Sequence, residues 1–574
     1  LTIVQLLLLA KQYVGGIAGD NAGIITTGNE ETDETVNLIN RGTITGQQYV
    51  GGVAGSNSGT ITNANNDVEL NVKDKNQIAQ YFGGIAGVNT GTINKATNTA
   101  DVNADGATYV GGIVGKNDGT LKDMAGNSGN VTGENYVGGV AGLNTNNKPL
   151  DGVEASNTGT VFATGGGAGG IFAVNNANIT NSKLTNNGTV IGNGGNGTGG
   201  IFGVNTGNIS TSSLINEVDG QVIGTNNVGG LIGTNTGTIT GGRDEADSYY
   251  KYQIYNNGVI NVGTWKDDNS NGKVDDGEIK GLQQGETSQN IGGLIGNNTT
   301  ENGKTGSLTA GYNTGAINAS GSINVGGIAG SNAGTIDQVF NTVITADGKN
   351  TGTITGGTNV GGLVGNNSGT LSNAYNITGV TGNYKFGNAV GNNTGEITNI
   401  YASNTTGILI GAGYENGKVY NAYSFVSDDK SATGVITGDA QKDSDSYEGF
   451  DFDTDGSGIW KNYDGYSNPL LKVFLTKAYY DSATGQLVAA ADDFKAHQNA
   501  EGGLIFQGGL NNLWSIQIRF GNGNPNWLGY DLEGITYMPD KNWYYFLDDA
   551  PFDRNRDFRE RKAEVNFVDG GMEI

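Results

Sequence analysis

The chain has 574 residues, with 102 glycines but only 5 prolines, 3 methionines, one histidine and no cysteine. Glycine without proline or a Gly-X-Y period excludes a collagen helix, and 25 tyrosines with 17 phenylalanines exclude a disordered acidic tail. The lack of cysteine removes disulfide frameworks, thiol nucleophiles and Cys-based metal centres, and the net charge of −25 disfavours nucleic acid and anionic membranes while attracting cations.

Residues 1–10, Leu-Thr-Ile-Val-Gln-Leu-Leu-Leu-Leu-Ala, are apolar but too short to cross a membrane, and no other run is longer. Without an initiating Met or a basic leader they read as a strand entering the fold, in a chain whose start lies upstream. A block of the form Val-Gly-Gly-Ile-Ala-Gly-x-Asn-x-Gly-x-Ile then recurs. Its paired glycines begin at Gly15, Gly51, Gly83, Gly111, Gly138, Gly169, Gly199, Gly229, Gly292, Gly326 and Gly361, with eroded copies at Gly387–Gly391 and Gly407–Gly411. Each period of about thirty residues holds three strand-like pieces rich in β-branched residues and separated by Asn, Gly and Ser. In one copy these are Thr353–Thr355, Asn359–Val364 and Thr370–Ser372. The expectation is an all-β fold: a right-handed parallel β-helix, a solenoid, spanning 1–440, with a small C-terminal β-rich cap at 441–574. The Asn of each Asn-x-Gly (Asn57, Asn89, Asn117, Asn205, Asn235, Asn332, Asn367 and Asn393) is expected to stack on its counterpart in the next coil.

The spacing from Gly229 to Gly292 is 63 residues, so this stretch holds either a disguised repeat or an insertion, placed at about 241–290. Within it lies Asp267-Asp-Asn269-Ser-Asn271-Gly272-Lys273-Val274-Asp275-Asp-Gly-Glu278. Oxygen donors fall at loop positions 1, 3, 5, 9 and 12, with glycine at 6, an apolar residue at 8 and a glutamate suited to bidentate ligation at 12. This is the pattern of an EF-hand-type calcium loop, in which the carbonyl of Lys273 also serves. The metal set is therefore Asp267, Asn269, Asn271, Lys273, Asp275 and Glu278, with Ca²⁺ as the ion. A weaker second pattern, Asp451, Asp453, Asp455 and Ser457, has Asn462 where the closing acid belongs, and a polar turn explains it equally well.

Beyond residue 440 glycine thins out, while four of the five tryptophans (Trp460, Trp514, Trp527, Trp543) and four of the five prolines appear. Such composition suits a cap or appended domain with its own core. Catalytic chemistry has little to rest on. His497 is the lone imidazole, and the acidic runs Glu30–Glu34 and Asp244–Asp247 read as solvated loops rather than a lyase or hydrolase carboxylate cluster. The expectation is no enzyme.

Gly361-Gly-Leu-Val-Gly365-Asn-Asn-Ser-Gly369-Thr-Leu371 resembles the GLUG motif of large bacterial surface adhesins and some IgA-peptidase-like exoproteins, a resemblance that spans about residues 13 to 411. The stretch Ile459–Leu475 resembles the Trp…Gly…Tyr…Pro-x-Leu segment that often closes such repeats. The tail from Phe552 to Gly571 is similar to the ending of haemagglutinin-type, two-partner-secreted exoproteins of diderm bacteria, although the secretion domain of that family is absent here. The resemblance implies an extracellular or cell-surface adhesin or stalk, which the calcium-type loop is expected to stabilise. Its partners would be a host or bacterial surface glycan or protein, with an outer-membrane secretion partner. The alternatives are self-association into an extracellular fibre or biofilm matrix, and a β-helical carbohydrate-active enzyme.

Overall fold

A computed structural model describes residues 8–26 and 43–474, except 10, 75, 146–147, 196, 244–249, 267, 269–276, 282–286, 343–352, 405, 453–457 and 463–467. Between 479 and 573 it describes only the backbone of short strands. The chain winds into a parallel β-helix whose coils stack in register. One coil shows the plan: Thr189–Gly192 and Thr198–Gly199 lie in the first sheet, Phe202–Asn205 in the second, and Ile209–Ser210 and Ser213–Asn216 in the third. Each piece pairs with its counterpart one coil on, as in Phe202↔Ile232 and Asn205↔Asn235. Among the described residues the second sheet has thirteen strands, from Ala18–Asn21 to Ile410–Ala412. The eleven intact blocks and both eroded ones therefore each make a coil.

The three expected pieces per period become five, for two reasons. The paired glycines stand at the bend between the first and second sheets, so the piece expected at 359–364 divides into Thr358–Gly361 and Val364–Asn367. The first and third sheets are each folded again by a residue with positive φ, such as Asn359 (55°) and Asn373 (45°). Alternate Ile, Val, Leu and Ala side chains point inward from all three sheets and form the buried interior, including Ile201, Phe202, Ile209 and Leu214.

Two columns of buried asparagine run through this interior. The expected one passes from Asn21 through Asn57, Asn89, Asn117, Asn144, Asn175, Asn205, Asn235, Asn298, Asn332 and Asn367 to Asn393. Each side-chain N–H donates to the next amide oxygen at 2.7–2.9 Å. It includes four members that the Asn-x-Gly reading left out: Asn21, Asn144, Asn175 and Asn298. A second column, wholly unexpected, joins Asn66, Asn98, Asn127, Asn157, Asn186, Asn216, Asn256, Asn313, Asn341 and Asn376 at the end of the third sheet. The amide's other hydrogen serves the turn, as where Asn205 also donates to the carbonyl of Gly207 (3.0 Å). Every hydrogen-bonding group of such an amide is used, which is what a buried polar side chain requires.

The second glycine of each pair packs against this second column. A methyl group on Gly84 or Gly112 would land on the amide of Asn98 or Asn127 and on the carbonyl of the glycine above. Space, rather than conformational freedom, fixes the residue.

The last coil is closed by side chains. Asp429, 6% exposed, accepts from the Leu409 N–H (2.6 Å), the Ser431 hydroxyl accepts from Ile410 N–H (3.0 Å), and the Thr433 hydroxyl accepts from Ala422 N–H (2.7 Å). These stand where a further coil would supply carbonyls, and they blunt a sheet edge that would otherwise recruit another strand. Asp429→Ala should therefore loosen this end by about 1–3 kcal/mol. The measurement is amide exchange. Leu409 should exchange faster while Val228, deep in the stack, is unaffected, and an unchanged Leu409 would refute the closure.

Residues 441–474 lie along the side of the rod rather than over its end. Outward aromatics of the third sheet, Tyr255, Tyr312, Phe340, Tyr375, Tyr401 and Phe425, stack in a second kind of column with centroids 4.9–5.6 Å apart. Tyr447, Trp460 and Phe474 cover it, with Phe474 edge-on to Tyr312 and Phe340. The Tyr401 hydroxyl donates to the Pro469 carbonyl (2.7 Å) and the Trp460 indole to Asn373 (3.2 Å). Burial pushes the Tyr401 and Tyr447 phenols well above their usual pKa, so both remain protonated donors. Residues 441–474 thus share a core with the rod instead of forming their own. The strands further on pair mainly antiparallel, as in Ile516–Phe520 with Asn524–Leu528 and Ile535–Met538 with Trp543–Phe546.

Candidate functional site

The long 63-residue spacing is one coil carrying insertions, not two coils. Val228 pairs directly with Ile291, and Asn235 bonds directly to Asn298. One inserted hairpin pairs Gly242–Arg243 with Tyr250–Tyr252, and a second pairs Thr264–Trp265 with Ile279–Lys280. The calcium-type loop is the connection of the second hairpin.

Of the six proposed ligands, Glu278 is described, whereas Asp267, Asn269, Asn271, Lys273 and Asp275 lie outside the described residues. Glu278 is 5% exposed. Its Oε2 accepts from the Trp265 indole N–H (3.0 Å) and its Oε1 from the Asp268 backbone N–H (3.1 Å), so the carboxylate is fixed at the mouth of the loop. Trp265 docks the hairpin onto the outer face of the first sheet. Its ring meets Phe162 edge-on at 4.7 Å and packs with Ile191 and Ile223. Asn193 clamps the Trp265 backbone with two bonds of 3.0 Å, one accepted and one donated. The amides and outward apolar residues of this anchor, Asn193, Phe162, Ile191 and Ile223, lie some 40 to 100 residues earlier in the sequence, and only the coil register brings them here.

Around the loop, Lys266 bonds the Asp268 carboxylate (2.9 Å) and Lys280 stands 3.7 Å from its other oxygen. That bond and the two positive charges hold Asp268 below the usual carboxylate pKa. Hard oxygen donors of the kind in the sequence pattern are those that calcium takes; of them only Glu278 is described, and both of its oxygens accept from the protein's own N–H groups. Among the described residues no group of three or more His, Cys, Asp or Glu side chains gathers that could hold a metal ion, at this loop or at any other place.

The second acidic turn begins at Asp451, whose carbonyl accepts from the N–H groups of Ile459 (3.0 Å) and Trp460 (2.9 Å). That closes the turn through backbone and places Trp460 in the aromatic core. Asp453, Asp455 and Ser457 lie outside the described residues, as do Glu30–Glu34, Asp244–Asp247 and His497.

A feature missed in the sequence lies on the opposite stretch of the rod. In five successive coils the residue two places before the paired glycines is tyrosine: Tyr13, Tyr49, Tyr81, Tyr109 and Tyr136. Their rings stack with centroids 4.6, 5.3, 5.6 and 5.3 Å apart. All five have φ between 53° and 63°, a region that bulky residues rarely occupy. Tyr13 is 48% exposed and the others are half-buried. The recurring Tyr-x-Gly-Gly spacing, with Val or Phe between, was the available signal; the backbone conformation was not.

No protein-family model matches this chain, and neither a curated protein nor a solved structure matches it.

Proposed function

We propose that the chain is the stalk of an extracellular bacterial surface adhesin: a stiff, non-catalytic rod whose inserted loop binds calcium. The observation that carries this reading is the unbroken register of the coils. Thirteen strands of the second sheet, at about 4.8 Å per strand, extend about 60 Å. Two interior asparagine columns bind neighbour to neighbour along that length. A solenoid of this kind resists bending because each coil is held by those on either side. The resemblance of its blocks to GLUG repeats supports the same reading. Purified full-length chain should bind host cells, matrix proteins or glycans, and a consistent lack of binding to all three would overturn it.

Calcium has a narrower test. A ligand that binds only the folded state at a hundredfold above its Kd adds about 2.7 kcal/mol. Chelation should accordingly lower the melting temperature and shift the Trp265 fluorescence, because the loop and the indole share the Glu278 carboxylate. Glu278→Gln should abolish the melting response. A chelator without effect on either signal removes calcium from the proposal.

The closed C-terminal edge weighs against the alternative of a fibre grown end to end. Asp429, Ser431 and Thr433 already satisfy the N–H groups that an incoming coil would need.

A further inference from the structure

We infer that the tyrosine column Tyr13–Tyr49–Tyr81–Tyr109–Tyr136 is a binding face for a neutral, extended polysaccharide lying parallel to the rod axis, an inference that rests on the adhesin reading and gives it a ligand class. The fold itself does not call for tyrosine here. In the coils that follow, the same position is held by Gly167, Gly197, Asn227, Asn290, Asn324, Asn359 and, in the first eroded copy, Lys385, all with positive φ. Six of the seven are glycine or asparagine, the residues that tolerate a left-handed backbone. Asn227, Asn290, Asn324 and Asn359 even form their own side-chain ladder at 2.8–2.9 Å. Five tyrosines in the strained conformation therefore answer to something other than the path of the chain, and strain of this sort concentrates where a protein binds.

The geometry narrows what is bound. Parallel rings touch when their planes are about 3.5–4.0 Å apart. Centroids 5.3–5.6 Å apart thus mean offset rings, overlapping like shingles, each leaving a strip of face and its hydroxyl edge toward solvent. Apolar strip and hydroxyl repeat once per coil, matching the amphipathic surface and the residue rise of an extended glycan. A peptide strand repeats its side every two residues, about 6.8 Å, and falls out of step within a few coils.

The flanks are mainly neutral and hydrogen-bonding, with Lys11 and Glu134 as exposed charges at the two ends of the column. Gln12, Gln48, Gln80, Thr108 and Asn135 precede the five tyrosines, and the Gln12 amide bonds to Gln48 (3.1 Å). Midway along the column, Lys116 is paired with Asp118 at 2.7 Å. A chain of net charge −25 repels polyanions and also a second copy of itself, and beside the column amides and hydroxyls rather than a row of carboxylates give a polycation little to pair with, which favours an uncharged polymer. The molecule's other aromatic column is buried under its own residues 447–474, whereas this one keeps Tyr13 exposed and its other four rings partly exposed.

The test uses the full chain with cellohexaose, xylohexaose and mannohexaose and their disaccharides, by calorimetry and tyrosine fluorescence. At least one series should bind, more tightly as the hexasaccharide than as the disaccharide, and with little dependence on salt. The double substitution Tyr81→Asn with Tyr109→Asn should weaken that binding by about tenfold or more. Because asparagine serves the same position in later coils, its melting temperature should hold or rise, which separates lost binding from lost folding. No binding to any hexasaccharide, or binding that the double variant leaves intact, overturns the inference. If cell or matrix adhesion then persists, the adhesin reading survives; if neither is seen, both fail. Self-association of the wild type that the double variant abolishes would assign the column to contact between copies and overturn the glycan assignment.

Discussion

Asn205→Asp should lower the stability of the rod by about 3–5 kcal/mol at neutral pH, among the largest losses that any single-atom exchange in this chain can cause. The wild-type amide donates to Asn235 (2.9 Å) and to the Gly207 carbonyl (3.0 Å), and accepts from Asn175 (2.8 Å). Aspartate keeps the acceptor and loses both donors. Its second oxygen would then face two lone-pair-bearing oxygens inside a fully buried column, with no cation to compensate. Burial raises the pKa of such a carboxyl above its unfolded value near 4. Since the folded state then holds its proton to higher pH than the unfolded state, the deficit is small below about pH 4 and grows as pH rises towards the folded pKa. Denaturation at pH 4 and pH 7 should separate the two regimes, with the variant closer to wild type at the lower pH. Asn21→Asp makes the same chemical change at the column's first member, which has one neighbour in place of two. It should cost clearly less. Equal losses at both positions would mean that the column does not act as a chain of mutually dependent bonds.

This dependence explains which parts of the architecture are legible in the sequence. The first asparagine column can be read because each member lies at a fixed distance from the paired glycines, within an uninterrupted block. The second cannot, because the turn before it varies in length: Asn66 follows Gly52 by 14 residues, while Asn157 follows Gly139 by 18. Its trace in the sequence is indirect, in the second glycine of each pair, whose missing side chain is the space that the amide fills. The inserted coil was readable as an anomaly of spacing, and the calcium pattern as a motif. The Trp265 anchor was not, since Asn193 and Phe162 meet it only through the stacking of coils. The lateral course of residues 441–474 follows a similar logic. Tyr312, Phe340, Tyr375 and Tyr401 each stand one residue before or near an interior position, on the outward side of a strand. Alternation along a strand makes such a stripe an apolar outer face that needs a cover. A change in composition at residue 440 announces new residues, but says nothing about which surface they meet.

The second large effect concerns glycine, and it separates two reasons for which glycine is used here. Gly200→Ala should cost about 3 kcal/mol, at the upper end for overpacking. Gly200 lacks the positive φ that marks a left-handed residue, so alanine could adopt its backbone without strain. Its Cβ, however, would strike the carbonyl oxygen of Gly230 and stand 2.8 Å from the Asn216 amide carbon. Neither can retreat: the carbonyl belongs to the next coil, and Asn216 is held between Asn186 (2.8 Å) and Asn256 (2.7 Å). Gly152 is the converse case, with φ of 68° and nothing within 4 Å of where a Cβ would lie. Gly152→Ala should cost only the left-handed strain, about 1–2 kcal/mol. Thermal melting of the two variants ranks the effects, and a larger loss at Gly152 would sink the steric account. The stronger check is a double-mutant cycle with Asn216→Ala. If the glycine exists to leave room for the amide, removing the amide should relieve part of the clash, and the two losses should sum to more than the double variant shows. Strict additivity would mean that the Gly230 carbonyl alone dictates the glycine. A coupling of more than about 0.5 kcal/mol would instead tie the paired glycines directly to the asparagine column, making block and ladder one device.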